Sequence, residues 1–313
     1  MSLPFISICI PAYKRTHYLK RLLDSIQIQS FKDFEVILSD DSDDHSVLSL
    51  IEPYQSKFTI HYFKNSPSLG TPANWNYGIS KANGAWIKLI HDDDWFSNED
   101  SLQQFADATQ KGNKFIFSAY ANFMETTKAY HKVYLPANAK ERILHTPMLL
   151  LSENVIGPPS VTLFHKSITD QYDERMKWRV DLEYYIRIIQ QEKNFTYINT
   201  SLINVGVSES QVTNACLNIP SVEIPEAAIL LEKFGTHPLK NISVYDAYWR
   251  ILRNSKINSL EKLQSFGEYH WPKAIEQMIQ LQSNFSYSVL KIGIVSKALM
   301  LVSYITNLIK SNL

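Results

Sequence analysis

The sequence predicts an α/β protein with a helical C-terminal region. Short β-rich runs alternate with amphipathic helical patterns over the first 120 residues, acidic residues close two of those runs, and after about Cys216 the apolar spacing is helical. Strands alternating with helices imply parallel pairing through right-handed crossovers. An open sheet of that kind binds ligands beyond the carboxyl ends of its strands. With 313 residues the chain can bury a full core. The pattern divides it into residues 1–215, a mostly parallel sheet flanked by helices, and residues 216–313, a helical region.

Ile6–Ile10 reads as a buried strand, and Tyr18–Gln29 as a helix with Leu19, Leu22, Leu23 and Ile26 on one face. Phe34–Leu38 is the next strand, followed by an acidic loop and a helix over Val47–Tyr54. Ile60–Phe63 is a third strand, and Pro72–Lys81 a helix with proline in its first turn. Trp86–Ile90 and Phe115–Tyr120 are further strands around a helix near Glu99–Gln110. A loop at Gly157–Ser160, a strand Val161–Phe164 and a helix opening near Asp181 follow. Ile224–Phe234, Val244–Asn254 and Ser259–Ser283 then read as helices.

Lys+Arg and Asp+Glu both number 31, which argues against a strongly basic surface and hence against nucleic acid as partner. The two cysteines, Cys9 and Cys216, fit reduced thiols in a cytosolic protein. No positive region precedes the first apolar run, so no signal peptide is expected. Lys291, Ser296 and Lys297 interrupt the apolar tail Val289–Ile309, leaving it too short to span a bilayer. Two readings of the tail stay open: a helix packed on the protein or a partner, or one lying on a membrane surface.

The most informative run is His91-Asp-Asp-Asp-Trp95, which closes the strand Trp86–Ile90. Adjacent carboxylates repel one another and are costly to desolvate unless a cation neutralises them. Mg²⁺ or Mn²⁺, shared with phosphate oxygens, is the natural candidate. Asp40 ends the second strand, where its carboxylate can accept from the imide of uracil or the N1–H and N2–H₂ of guanine. Asp43, Asp44 and Ser46 read as turn formers. Pro11 stops the first strand and leaves backbone of the loop through Tyr13 to meet a base or ribose; Lys14 and Arg15 either approach phosphate or stay solvated. Asn65–Gly78 feeds a helix N-terminus, placing Asn74 near a nucleotide. Asp181 opens an amphipathic helix with Leu182, Ile186 and Ile189 inward, either as a first-turn charge or as a general base. GxxxxGK[ST], HExxH, CxxC and GxSxG are absent, and no glycine-rich turn follows the first strand.

Together these motifs resemble glycosyltransferase family 2, inverting enzymes with a GT-A fold. The matching pieces are Ile6–Arg15, Phe34–Ser42, Asn74–Gly84, Ile90–Trp95, Gly157–Ser160, Asp181 and Ser208–Thr213, about the first two-thirds of the chain. The resemblance implies a metal-dependent enzyme with a nucleoside-diphosphate sugar donor, UDP-sugar favoured, and Mg²⁺ or Mn²⁺ as cofactor. The acceptor would be a saccharide, free or lipid-linked, in bacterial surface polysaccharide synthesis at the inner face of the cytoplasmic membrane. Pro11, Tyr13, Arg15, Asp40, Asn74 and Asp92 would bind the nucleotide sugar, Asp93 and Asp94 the metal, and Asp181 would be the catalytic base. Ser160 and Gln211 would orient sugar or acceptor. One departure is His91 at the first position of Asp-x-Asp. Another is Val180, where the family has the first acid of a Glu-Asp pair. Competing readings are a sugar-nucleotide nucleotidyltransferase, argued against by the missing glycine-rich turn, and a non-catalytic binding module. Self-association stays open.

Overall fold

The computed structural model describes residues 3–208, 216 and 218–313. The chain forms two compact units. The first comprises Met1–Leu144, Val155–Glu174 and Glu183–Glu209, the second His145–Asn154, Arg175–Leu182 and Ser210–Leu313. Most of the second unit is C-terminal. Two short earlier segments nonetheless group with the C-terminal helices, and one of them holds Asp181.

The first unit is built on a nine-stranded sheet. Its strands are β1 (Ile6–Ala12), β2 (Phe34–Asp40), β3 (Ile60–Lys64), β4 (Trp86–Leu89), β5 (Trp95–Phe96), β6 (Phe115–Met124), β7 (Tyr130–Val133), β8 (Thr162–His165) and β9 (Thr196–Val207). The order is β3-β2-β1-β4-β8-β6-β9-β5, with β7 on the side of β6. Crossovers through α1 (Thr16–Gln27), α2 (Ser46–Ile51) and α3 (Ala73–Ser80) make β3-β2-β1-β4 parallel, as the alternation predicts. The helix α1 buries Leu19, Leu22, Leu23 and Ile26, the face read from spacing.

Beyond β4 the expectation of a mostly parallel sheet is corrected. The strand β8 runs antiparallel to both β4 and β6, β5 antiparallel to β9, and only β6 with β9 is parallel. Two residues of β5 and an exposed β7 offer no period to read. The polar run Asn199-Thr-Ser201 and two register shifts against β6 hide β9. Helices α4 (Ser101–Ala108), α5 (Ala139–His145) and α6 (Val180–Glu192) also precede the C-terminal region, with short 3-10 turns between elements.

Of the helices α7 (Pro220–Phe234), α8 (Ile242–Asn254), α9 (Leu260–Gln264), α10 (Lys273–Gln282), α11 (Tyr287–Leu290) and α12 (Gly293–Ile309), all lie in the second unit. Asn241 and Ser259 cap α8 and α9 by accepting from Ser243 and Lys262. The single helix expected over Ser259–Ser283 is two helices, because Gly267 takes φ +142° and Pro272 opens the second. The tail is likewise split at an extended Ile292. No helix among the described residues is long and apolar enough to cross a membrane.

The parallel half of the sheet is fixed by a polar clasp. Ser7 donates to the buried Glu35 at 2.6 Å, which also accepts from the Asn83 N–H at 2.7 Å, while the Gly84 N–H donates to Ser7 Oγ at 2.8 Å. A Cβ on Gly84 would lie 2.6 Å from the Ser7 nitrogen and 2.9 Å from the Ile6 carbonyl carbon. Gly84→Ala must therefore push β4 off β1, at a cost of about 1–3 kcal/mol. A lower urea midpoint with unchanged slope is the expected readout.

Candidate functional site

The strand β4 is apolar except for Lys88, which is fully buried. Its ammonium donates to the Ser160 carbonyl and to the Thr162 carbonyl (3.1 Å), and it lies 4.7 Å from the centre of the Phe105 ring. Burial pulls this lysine down to about 7. Tethering of Ser160 in this way brings its hydroxyl against the next turn, where it accepts from the His91 N–H at 2.9 Å and bonds the Asp94 carboxylate.

That turn, His91–Asp94, closes through the Asp94 N–H on the His91 carbonyl at 3.2 Å. Its acids face different partners. Asp94 accepts the Gly206 N–H from β9 at 3.0 Å. Gly206 is required there, because a Cβ would meet the Asp93 carbonyl oxygen at 2.5 Å. Burial, reinforced by Asp93, pushes the Asp94 carboxyl well above the usual carboxylate range. Asp92 pairs with the Arg15 guanidinium and accepts the Tyr13 N–H. Burial lifts Asp92 to about 7 against the pull of Arg15. Asp93 pairs with the same guanidinium at 2.9 Å. Arg21, stacked 3.6 Å from the Trp95 ring centre, donates to the Asp93 carbonyl at 3.0 Å and pairs with Glu125 at 2.7 Å.

His91 packs at 4.7 Å from the Trp75 ring of α3. Burial lowers its imidazole to about 4, so it is neutral at ordinary pH. Its Nε2 is buried with no hydrogen-bond partner. One ligand atom each from His91, Asp93 and Asp94 lies within 4.8 Å of the others. An orphaned neutral nitrogen beside two carboxylate oxygens is a donor set that fits a divalent ion such as Mn²⁺. Asp93 and Asp94 were the expected ligands. His91, read from sequence as a weakening of the motif, joins them geometrically.

The end of β2 is enclosed. Asp40 has no exposed surface; one oxygen accepts the Ser42 N–H at 2.9 Å, the other Tyr62 Oη at 2.8 Å and Lys64 Nζ at 3.0 Å. A base could reach this carboxylate only by displacing those partners. Asn74 is also buried, bonded to Ser39 and Asn65. The acid after Asp40, not singled out from sequence, holds the loop that follows β3. Asp41 accepts from the main-chain N–H of Leu69 (3.1 Å) and Gly70 (2.7 Å) and from the Asn65 amide (2.7 Å). Pro11 does not stop β1, which pairs with β2 through Ala12, and it is half-buried; Tyr13 is exposed, with its N–H on the Asp92 carboxylate.

In the second unit Asp181 stands in the first turn of α6. Its carboxylate accepts the Leu182 N–H at 2.8 Å and the Asn154 amide at 3.3 Å. Burial, with Glu226 nearby, raises it to about 7. Glu226 is committed to the N–H groups of Lys177, Trp178 and Arg179, at 2.6–2.7 Å, and so shapes the approach to α6. Gln211 lies outside the described residues.

Residues 7–173 match the family model Glycosyl transferase family 2. The chain belongs to that family. Among curated relatives, an uncharacterized glycosyltransferase of Rickettsia typhi is 25% identical over 69% of this chain and 68% of its own length. An abequosyltransferase of Salmonella typhimurium is 37% identical over 31% of this chain and 30% of its own length. A GalNAc(5)-diNAcBac-PP-undecaprenol beta-1,3-glucosyltransferase of Campylobacter jejuni is 34% identical over 29% and 30%. Among solved structures, S. aureus TarS 1-349 in complex with UDP aligns with TM-score 0.60 and 16% identity, over 96% of this chain and 89% of that one. Another S. aureus TarS structure aligns with TM-score 0.61 and 15% identity, over 96% of this chain and 54% of that one. A mannosyltransferase from Pyrobaculum calidifontis, in complex with GDP-Man and Mn²⁺, aligns with TM-score 0.55 and 12% identity, over 98% and 88%. The fold of this family 2 chain is therefore GT-A.

If His91, Asp93 and Asp94 hold the ion, Mn²⁺ should raise the melting temperature of the wild type and leave Asp93→Ala unmoved. His91→Ala should weaken Mn²⁺ binding by about tenfold, the scale on which even outer metal partners act, and weaken Mg²⁺ less. Thermal shift across an ion titration measures both.

Proposed function

We propose that this chain is an inverting, metal-assisted glycosyltransferase. It would move a sugar from a nucleoside-diphosphate sugar, UDP-sugar favoured, to a hydroxyl of a saccharide or lipid-linked saccharide. The observation that carries the reading is the gathering of His91, Asp92, Asp93, Asp94 and Arg15 at the carboxyl ends of β1 and β4. That edge is where an open α/β sheet receives a nucleotide. The UDP complex of TarS and the GDP-Man complex of the mannosyltransferase support the donor class. The undecaprenol-linked and abequosyl relatives support a surface-polysaccharide setting at the cytoplasmic membrane face.

In this reading the first unit holds the donor. The Pro11–Arg15 loop contacts nucleoside and phosphate, and the Arg15 guanidinium turns from Asp92 and Asp93 toward the diphosphate. Asp40 supports the base pocket through the residues it holds. A Mn²⁺ or Mg²⁺ ion held by His91, Asp93 and Asp94 would supply positive charge against the leaving diphosphate. Ser160 keeps that turn in place.

The acceptor oxygen displaces the diphosphate in line at the anomeric carbon. The old C–O bond breaks with its electron pair going to the diphosphate oxygen, and the acceptor proton passes to Asp181. A carboxyl lifted to about 7 suits that task, since it is basic enough to accept a proton yet about half ionised at neutral pH.

Asp181→Asn should keep the thermal shift produced by UDP with Mn²⁺ and lose at least about a hundredfold in transfer rate. Wild-type kcat should rise with pH through about 7, because only the ionised carboxylate accepts the proton. Normal turnover by Asp181→Asn would sink the base assignment. Release of pyrophosphate rather than nucleoside diphosphate would replace the reading with nucleotidyl transfer.

A further inference from the structure

The helix α12 is built inside out for a protein in water. Its buried positions are Ser296, Met300, Ser303 and Asn307, spaced for one helical face. The polar members of this face are bonded to α8. Trp249 Nε1 and Arg253 donate to Ser296 Oγ at 3.0 and 2.9 Å, Tyr245 Oη meets Ser303 Oγ at 2.7 Å, and the Asn307 amide donates to Tyr245 Oη at 2.8 Å. The outward face carries Ile294, Leu301, Val302, Ile305, Leu308 and Ile309, of which Ile294 is 86% and Ile309 77% exposed. A solvent-facing helix orders these the other way round, polar outward and apolar inward. With 17 residues, α12 offers an apolar strip about 25 Å long.

Charge selects the occupant. The sequence has no Asp or Glu after Glu276, while Lys291, Lys297 and Lys310 lie along the tail. Lys297 is matched by Asp246 at 2.8 Å. Where α12 begins, Lys256 and Lys291 sit 4.9 and 5.1 Å from the Tyr287 ring centre, and Lys262 reaches the Lys256 carbonyl at 2.7 Å. An apolar strip cornered by lysines and an amphipathic aromatic ring matches an anionic lipid surface, apolar face to acyl chains and ammonium groups to headgroups. A second copy pairing through the same face would set these lysines against their own kind.

We propose that α12 lies in the plane of an anionic bilayer surface, inserting Ile294, Leu301, Val302, Ile305, Leu308 and Ile309, with Lys256, Lys262 and Lys291 at the headgroups. This deepens the reading of a lipid-linked acceptor and rests on it for the biological membrane; the surface itself is argued from the second unit alone. The full-length protein should co-sediment with vesicles of mixed phosphatidylcholine and phosphatidylglycerol, and only weakly with phosphatidylcholine alone. Leu301→Gln/Ile305→Gln, both at exposed positions, should lower that partition at least about tenfold with helicity and the UDP–Mn²⁺ thermal shift unchanged. Lys256→Gln and Lys291→Gln should each lower binding to the anionic vesicles about fivefold. Absence of wild-type binding, undiminished binding by the double variant, or a light-scattering dimer that the double variant dissolves would each overturn the proposal. None of these measurements uses a sugar, so failure here leaves the transferase reading standing, and failure of sugar transfer leaves this one.

Discussion

The arrangement on which the site depends is a concentration of negative charge in a place with little water. Asp92, Asp93 and Asp94 stand at one strand end, two of them nearly enclosed. Such a group folds only if each acid has its own answer to desolvation. Asp92 and Asp93 share one guanidinium, which closes the turn from the β1 side. Asp94 is met by a main-chain N–H of β9 and the Ser160 hydroxyl, and burial holds its proton more tightly. Three neighbouring carboxylates thus occupy three electrostatic environments.

Holding this turn draws on distant parts of the first unit. Lys88 grips the backbone beneath Ser160 from inside the sheet, and Arg21 reaches across Trp95 to the Asp93 carbonyl. Gly206 lets β9 pass close enough to be the third support. Two strands, β4 and β9, and the helix α1 therefore fix the turn's geometry from three sides. Of the ion-paired side chains in the cluster that of Arg15 is the most exposed, at 36% against 4% for Asp92 and 14% for Asp93.

Much of this was legible in the residues. Apolar runs and helical spacing locate β1 to β4 and α1 to α4 within a few residues, and the acids expected at strand ends do stand at the ends of β2 and β4. The misreadings have physical causes. Parallel strands made by crossovers announce themselves through intervening helices, whereas β5, β7 and β9 are short, exposed or polar and pair over long sequence distances. Gly267 and Pro272 break a helical pattern whose apolar spacing runs on undisturbed. Asp40 is expected to meet a base because it ends a strand and can accept its N–H groups; its enclosure by Tyr62 and Lys64 depends on a third strand. Lys88 carried the least warning, since a lysine in an apolar run reads as an exposed residue until its carbonyl partners are placed. The inversion of α12 was equally hidden, because composition says how apolar a helix is and not which face turns inward.

Asp41 shows how such a frame can tolerate change. It secures the loop after β3 chiefly by main-chain N–H groups at 69 and 70, which every residue except proline supplies. At 69 and 70 the anchor is thus blind to the side chain, and only at Asn65 does it read one. Leu69 is exposed and can be exchanged without loosening the loop, so the side chain there can vary while the loop's attachment to the sheet stays the same.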